Sequence, residues 1–259
     1  MVLHVFAYRK SKTTTTEEEI DVVSDDVLTR TAGTRFMVPA GLTKIYWGFA
    51  SGAYLGEARL YTPSLETRKY RARIIPRNIN DNNPVSSFDL IYLPTPPLSL
   101  MATEELSFLA TVTDATAARN IIGVFALGPD TLPPKPAGEP IWVRATGSTT
   151  LTANTWTTVK ITPEVQLEAG TYALINAICY SAGAVACRFI IPGLVWRPGF
   201  LAVQGTNEYA GLTKAYWILK YMPEIEYGRF SHLAVPEVQF LSTSADTSEV
   251  VYLKVVKVA

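Results

Sequence analysis

The chain has 259 residues, of which 48% are apolar and 18% charged, and its 23 basic residues balance 23 acidic ones. This composition excludes intrinsic disorder, which requires low hydrophobicity and high net charge. Neutrality also sets the chain apart from dedicated nucleic-acid binders, which are strongly basic.

Thr, Val, Ile and aromatic residues fit a pleated, half-buried surface. Here they are punctuated by 17 prolines and 16 glycines, a spacing that suits many short strands and argues against long helices. The predicted strands begin with residues 3–8, 17–23, 35–39, 43–50 and 54–61. Residues 70–75 alternate basic and apolar side chains, and 88–93 run into the stop Pro94-Thr95-Pro96-Pro97. Strands over 106–113 and 120–127 follow. The Pro-rich stretch 128–140 cannot be a central strand, because proline has no amide to donate to a ladder. The remaining strands are 141–145, 155–161, 171–179, 186–191, 195–203, 215–221, 238–241 and 249–258. Helical periodicity is weak. Residues 99–107 and 113–118 have the propensity for a turn or two of helix but lack an apolar stripe.

Without crossover helices a parallel α/β fold is disfavoured. The expected fold is all-β: an antiparallel β-sandwich of jelly-roll type with very little helix, built either as one continuous jelly roll or as two stacked sandwiches. The organisation read from the sequence is an N-terminal sandwich portion over 1–128, a Pro-rich loop over 129–140 and a C-terminal sandwich portion over 141–259. Ala40-Gly41-Leu42-Thr43-Lys44-Ile45-Tyr46-Trp47 recurs as Ala210-Gly211-Leu212-Thr213-Lys214-Ala215-Tyr216-Trp217. The match does not extend beyond these residues, whereas a true structural repeat should span a whole unit.

The apolar start Val2-Leu3-His4-Val5-Phe6 is short and has no basic region ahead of it, so no signal peptide is expected. The longest uncharged run, 169–187, is interrupted by Thr171, Asn176, Ser181 and Gly183 and reads as strand, turn and strand rather than as a transmembrane helix. Synthesis in a cytoplasm follows as the expectation. Cys179 and Cys187 flank Gly183 symmetrically, so a hairpin there would permit a cross-strand disulfide. The preferred reading is two small buried apolar side chains, since cytoplasmic thiols stay reduced.

No catalytic constellation emerges, and the chain is read as a non-enzyme with no cofactor and no small-molecule substrate. His4 and His232 are the imidazoles available to a catalytic triad, and neither lies beside a nucleophile-elbow motif. The carboxylate groups Glu17-Glu18-Glu19, Asp25-Asp26, Glu104-Glu105 and Glu224 with Glu226 supply the remaining acid–base option, for which two carboxyls must face one sugar. The polar loop around Asn80, Asp81 and Asn83 offers oxygen ligands to calcium but lacks EF-hand spacing, and a plain turn explains it equally. On a strand, Lys69, Arg71, Arg73 and Arg77 would form one basic face suited to phosphates of a genome or of lipid headgroups. Tyr, Trp and Arg are enriched at interface hot spots. Candidate subunit contacts are therefore Trp196, Arg197 and Phe200, the loop prolines Pro133 and Pro134, and Tyr8 in the N-terminal segment.

In residues 155–161, then Glu168-Ala169-Gly170-Thr171-Tyr172-Ala173-Leu174, then 188–191, a strand leads through a Gly turn into a long hydrophobic strand pair. With Val235-Pro236-Glu237-Val238-Gln239-Phe240-Leu241 and the terminal strand, this arrangement resembles viral jelly-roll capsid proteins. The resemblance is architectural and implies a structural virion protein: a self-assembling coat subunit whose partners are copies of itself and other virion proteins. Small RNA-virus coat proteins often carry a basic N-terminal arm. Here Arg9, Lys10 and Lys12 are the basic residues before Arg30, and acids follow. The resemblance therefore leans toward shells around an internal membrane or a condensed genome, reached through the basic stripe. The alternative is a carbohydrate- or receptor-binding sandwich, as in a phage fibre, with Trp142, Trp156 or Trp217 as stacking platforms. A glycoside-active sandwich enzyme using paired carboxylates is the third class.

Overall fold

The computed structural model describes residues 2–69, 72–74, 77–78, 93–205, 207–208, 215, 220 and 222–259. Strands take 49% of the chain and helix 4%, with the strands in several mainly antiparallel sheets, so the fold is all-β. The chain divides into two compact units, Phe6–Asp130 and Met1–Val5 with Thr131–Ala259.

In the first unit, β1 (His4–Lys12), β5 (Lys44–Gly52), β8 (Arg77–Asn78), β9 (Leu98–Ser99) and β11 (Arg119–Gly128) form a five-stranded sheet in the order β1-β11-β5-β8, with β9 on β5. A six-stranded sheet holds β2 (Glu18–Glu19), β3 (Arg30–Ala32), β4 (Arg35–Met37), β6 (Leu55–Tyr61), β7 (Ala72–Ile74) and β10 (Glu105–Val112), in the order β3-β4-β10-β6-β7 with β2 on β10. The sheets meet through rings. Phe6, Tyr8 and Phe125 of the first sheet pack against Phe36 and Phe108 of the second, with Phe6–Phe36 centroids 4.7 Å apart and Phe108–Phe125 5.5 Å. The Tyr8 hydroxyl is satisfied by donating to the Leu106 carbonyl at 2.9 Å.

The helix α1 (Pro63–Thr67) follows β6. Thr62 caps it by accepting from the Leu65 amide, and Pro63 sits in the first turn, where no amide hydrogen bond is lost. Of the segments expected to turn helical, 99–107 instead holds the end of β9, a turn and the start of β10, and 113–118 is the loop between β10 and β11.

The second unit is built on a nine-stranded sheet of β12 (Pro140–Thr146), β13 (Trp156–Val159), β14 (Thr162–Pro163), β15 (Thr171–Tyr180), β16 (Ala184–Ile190), β17 (Gly199–Val203), β18 (Gly228–Ser231), β19 (Glu237–Ser242) and β20 (Val250–Lys257). Its order is β13-β19-β16-β17-β15-β20-β12-β14, with β18 on β15. The run 169–187 does form a strand, a turn and a strand, but β15 and β16 are not hairpin partners. β17 lies between them, antiparallel to β16 and parallel to β15 at Cys179↔Ala202 and Tyr180↔Val203. Cys179 and Cys187 are both buried free thiols; their strands do not pair with each other, yet the two side chains interact directly. The core includes Phe189, Phe200 and Tyr227, with Phe200 and Tyr227 centroids 4.6 Å apart.

Among the described residues no helix is long and apolar enough to cross a membrane. The strand expected over 88–93 falls outside the described residues except for Leu93, as does the second copy of the octapeptide except for Ala215. Within the strand expected over 215–221, Ala215 and Lys220 have helical backbone instead.

Candidate functional site

The Pro-rich loop feeds β12, the last long strand on its side of the nine-stranded sheet. Gly138 has φ +128°, and a Cβ there would lie 2.6 Å from Val256, so glycine is what lets the chain turn into the strand. Along β12, Val143 and Ala145 face the core with Leu253 and Val251 opposite, while Trp142 and Arg144 take the other face, opposite Lys254 and Tyr252. On the outer side β14 pairs only with Ala145 and Thr146, and the Glu164 amide extends this by donating to the Arg144 carbonyl at 3.0 Å. Because backbone groups alternate along a strand, Trp142 presents its amide and carbonyl to the same outer side as Arg144, beyond the end of β14.

Past β14 the chain leaves the edge and opens a groove of about 620 Å³, lined by Ile141, Trp142 and Val143 on one wall and Val165 and Leu167 on the other. Ile141 is 45% exposed, Trp142 43% and Val165 75%, values well above those of the packed core. The rim is charged: Glu139, Glu164 and Glu168 stand with Arg144 and Lys257. Arg144 binds Glu164 and also clamps Glu208 at 2.6 Å. Glu208 accepts from Tyr252 as well, and the Arg144 and Tyr252 hydrogen bonds hold its carboxyl below the ordinary carboxylate range. Lys257 pairs with Glu168 at 3.1 Å. Lys254 lies 5.5 Å from the Trp142 ring centroid and binds Glu224, which Lys135 of the Pro-rich loop also reaches at 2.7 Å. This chain of charges ties the loop to the sheet.

The residues expected at a subunit contact divide. Tyr8 and Phe200 are fully buried and belong to the cores of their units, so neither is a surface anchor. Trp196 and Arg197 are half-buried and are spent on the chain's own N-terminus. The Trp196 ring meets His4 at 5.9 Å, the Arg197 amide donates to His4 Nδ1 at 3.1 Å, and the Val5 amide donates to the Arg197 carbonyl at 3.0 Å. Arg188, 1% exposed, adds to this by donating to the Val5 carbonyl at 3.2 Å and to Gln239 at 2.7 Å, with its guanidinium over Trp156. Trp156 is thereby occupied and is no free stacking platform. Pro134 is exposed and Pro133 half-buried, as surface residues of the loop. Trp217 lies outside the described residues.

The basic stripe does not form on a single strand. Lys69 is exposed in a turn after α1, with φ 54° and its amide donating to the Glu66 carbonyl. Arg73 is exposed on β7 between the buried Ala72 and Ile74, 3.6 Å from Glu57. Arg77 pairs in β8 with Ser51 of β5, which belongs to the other sheet. Arg71 and the proposed calcium ligands Asn80, Asp81 and Asn83 lie outside the described residues. Among the described residues there is no group of three or more His, Cys, Asp and Glu side chains arranged to hold a metal.

Most of the candidate acid–base carboxylates sit in ion pairs. Glu17 binds Arg59, Glu18 binds Lys10 and Lys12, Glu19 and Glu105 bind Arg35, and Glu226 binds Arg229. Hydrogen bonds from Lys135 and Lys254 hold Glu224 below the ordinary carboxylate range. Sequence reasoning named Trp142 as a stacking residue but missed Ile141 and Val165. The adjacent apolar pair Ile141-Trp142, which breaks strand alternation just after a Pro-rich loop, was the signal available.

No family model matches the chain, and no curated protein matches it. Among solved structures it is similar to the major capsid protein P2 from Bacteriophage PM2, at 11% identity and a TM-score of 0.24, over 94% of this chain and 98% of that one. It is also similar to a Paenibacillus xanthan lyase, at 13% identity and a TM-score of 0.22, over 96% of this chain and 25% of that one.

Proposed function

We propose that the chain is a structural virion protein, a coat subunit that assembles with copies of itself. The observation that carries this reading is the uncovered edge of β12 with exposed Ile141 and Trp142 beside an apolar groove. An open, apolar sheet edge is an aggregation liability that soluble monomers blunt with charge, proline or a covering element. Among the described residues β14 covers only the far end of β12. A neighbouring subunit would cover the rest, and an assembly of subunits would do so for every copy. Light scattering on the purified protein across a dilution series tests the reading. Discrete oligomers or particles that grow with concentration are expected, and a monomer at high concentration overturns it.

A second reading has one observation in its favour. Trp142 is exposed in a groove that also carries Glu164 and Gln166, a combination of aromatic face, carboxylate and amide that suits a sugar. In that case the native monomer binds on a glycan array and Trp142→Ala abolishes binding.

A further inference from the structure

We propose that the groove beside β12 receives the turn tip Leu233-Ala234-Val235 of a second copy of this chain. This inference rests on the self-assembly reading and names the two surfaces that meet.

Leu233 is 81% exposed, more than any other large apolar side chain among the described residues. It is held outward by a closed turn rather than by a loose loop. The Ala234 amide donates to the Ser231 carbonyl at 2.9 Å, and the Leu233 amide donates to the Ser231 hydroxyl at 3.3 Å. The base of the turn is pinned to the start of β15. The His232 amide donates to the Gly170 carbonyl at 3.0 Å, and the Gly170 amide donates to His232 Nδ1 at 3.2 Å. A leucine fixed in water by such a scaffold is preorganised for a contact, because little ordering remains to be done on binding. Leu233 does not line the groove of its own subunit.

The charges of the two surfaces are complementary. On the groove rim Arg144 and Lys257 neutralise Glu164 and Glu168, and Glu139 is left without an ion pair among the described residues, so the rim keeps an acidic excess. The turn stands beside Lys160, exposed and likewise without an ion pair among the described residues, with Glu237 as the carboxylate nearby. Opposite charges at a rim set register and partner choice. A projection on one part of a subunit that fills a recess on another part makes a heterologous contact. Such contacts propagate from copy to copy, closing into rings where the rotation closes and running on as filaments where it does not.

The experiment uses the full chain. Leu233→Cys and Val165→Cys variants are purified separately, then mixed under mild oxidation and run without reductant. Both positions are exposed, so folding is preserved, and the native cysteines are buried. A linked dimer that forms in the mixture and not in either variant alone is the expected result. In parallel, Leu233→Glu should raise the concentration needed for assembly at least tenfold with an unchanged thermal midpoint, and Leu233→Lys should do so less, because the groove rim is acidic. If the wild type assembles but the mixture yields no additional cross-link and Leu233→Glu assembles normally, the contact is wrong and the self-assembly reading stands. A wild type that never leaves the monomer overturns both. A glycan that binds the monomer and is lost in Val165→Asp, with assembly untouched, gives the groove to a sugar and overturns the contact.

Discussion

Glu249, just ahead of β20, is 1% exposed, and neither carboxylate oxygen has a hydrogen-bond partner among the described residues. It lies beside Gly147, whose amide donates to the Glu249 carbonyl at 3.0 Å, and Asp246 is a charged neighbour. Burial pushes its carboxyl up to about 7 from the ordinary 4.5, against the pull of the nearby Glu249 and Thr149 amides and with a smaller push from Asp246. The native carboxyl therefore keeps its proton to higher pH than the unfolded one. Between about 4.5 and 7 the unfolded state binds fewer protons, so stability falls as pH rises through this window and levels off above it. At about 1.4 kcal/mol per pH unit, full ionisation costs the native state at most about 3.5 kcal/mol. Glu249→Gln keeps the shape and the unpartnered polar atoms but cannot ionise. Urea unfolding from pH 5 to pH 8.5 should show the variant within about 1 kcal/mol of wild type at the acid end and more stable by up to about 3.5 kcal/mol at the alkaline end. Stability curves that stay parallel across the whole range would refute the argument, because the charge would then have found a partner or water.

Three further outcomes follow from the packing. Arg188→Ala leaves the Val5 carbonyl and the Gln239 amide oxygen without their donor and opens space under Trp156, and it should cost about 2–4 kcal/mol in denaturant unfolding. The N-terminal residues of that variant should be cut by protease well before the rest of the chain. Phe125→Ala removes the ring that touches Phe6, Tyr8 and Phe108 and should cost about 3–5 kcal/mol by the same measurement. Burial pushes the Cys179 thiol well above its ordinary range, so alkylation of the native protein at neutral pH should be slow and should become fast once denaturant unfolds the chain.

Long strands were legible because their side chains declare them. β5, β11, β15 and β20 combine β-branched and aromatic residues with turn residues at both ends, and each lies within a few residues of its expected limits. Pairing was less legible. Cys179 and Cys187 are placed symmetrically about a turn and their side chains do meet, but not as a hairpin pair: β17 pairs with both strands through contacts that the local sequence does not encode. The basic stripe failed for a related reason. Alternation predicts a shared face only while the chain stays on one strand, and Lys69 sits in a turn while Arg77 joins another sheet. The helix carried a readable signal in Thr62-Pro63, a capping side chain followed by a residue preset for the first turn.

The candidate site shows a different limit. Aromatic residues are enriched at interfaces because their large area buries well, but the same area makes them the first residues a sandwich core recruits. In this chain Tyr8 and Phe200 went to the cores, Trp156 is stacked on Arg188, and Trp196 packs on His4. Among the described residues the large apolar side chains left outside are non-aromatic apart from Trp142: Met37, Leu93 and Met101 in one unit, and Ile141, Val165, Val195 and Leu233 in the other. Composition cannot separate these from ordinary core aliphatics, since Ile141, Val195 and Leu233 lie in short apolar stretches and Val165 alternates with polar neighbours, and either pattern would pass for the end of a strand. Their exposure is decided by where strands stop. β14 ends after Pro163, and the turn after β18 closes on Ser231, so the side chains just beyond lose the sheet that would have covered them. An interface built from strand ends is therefore invisible to residue type and visible only once the edges of the sheet are known.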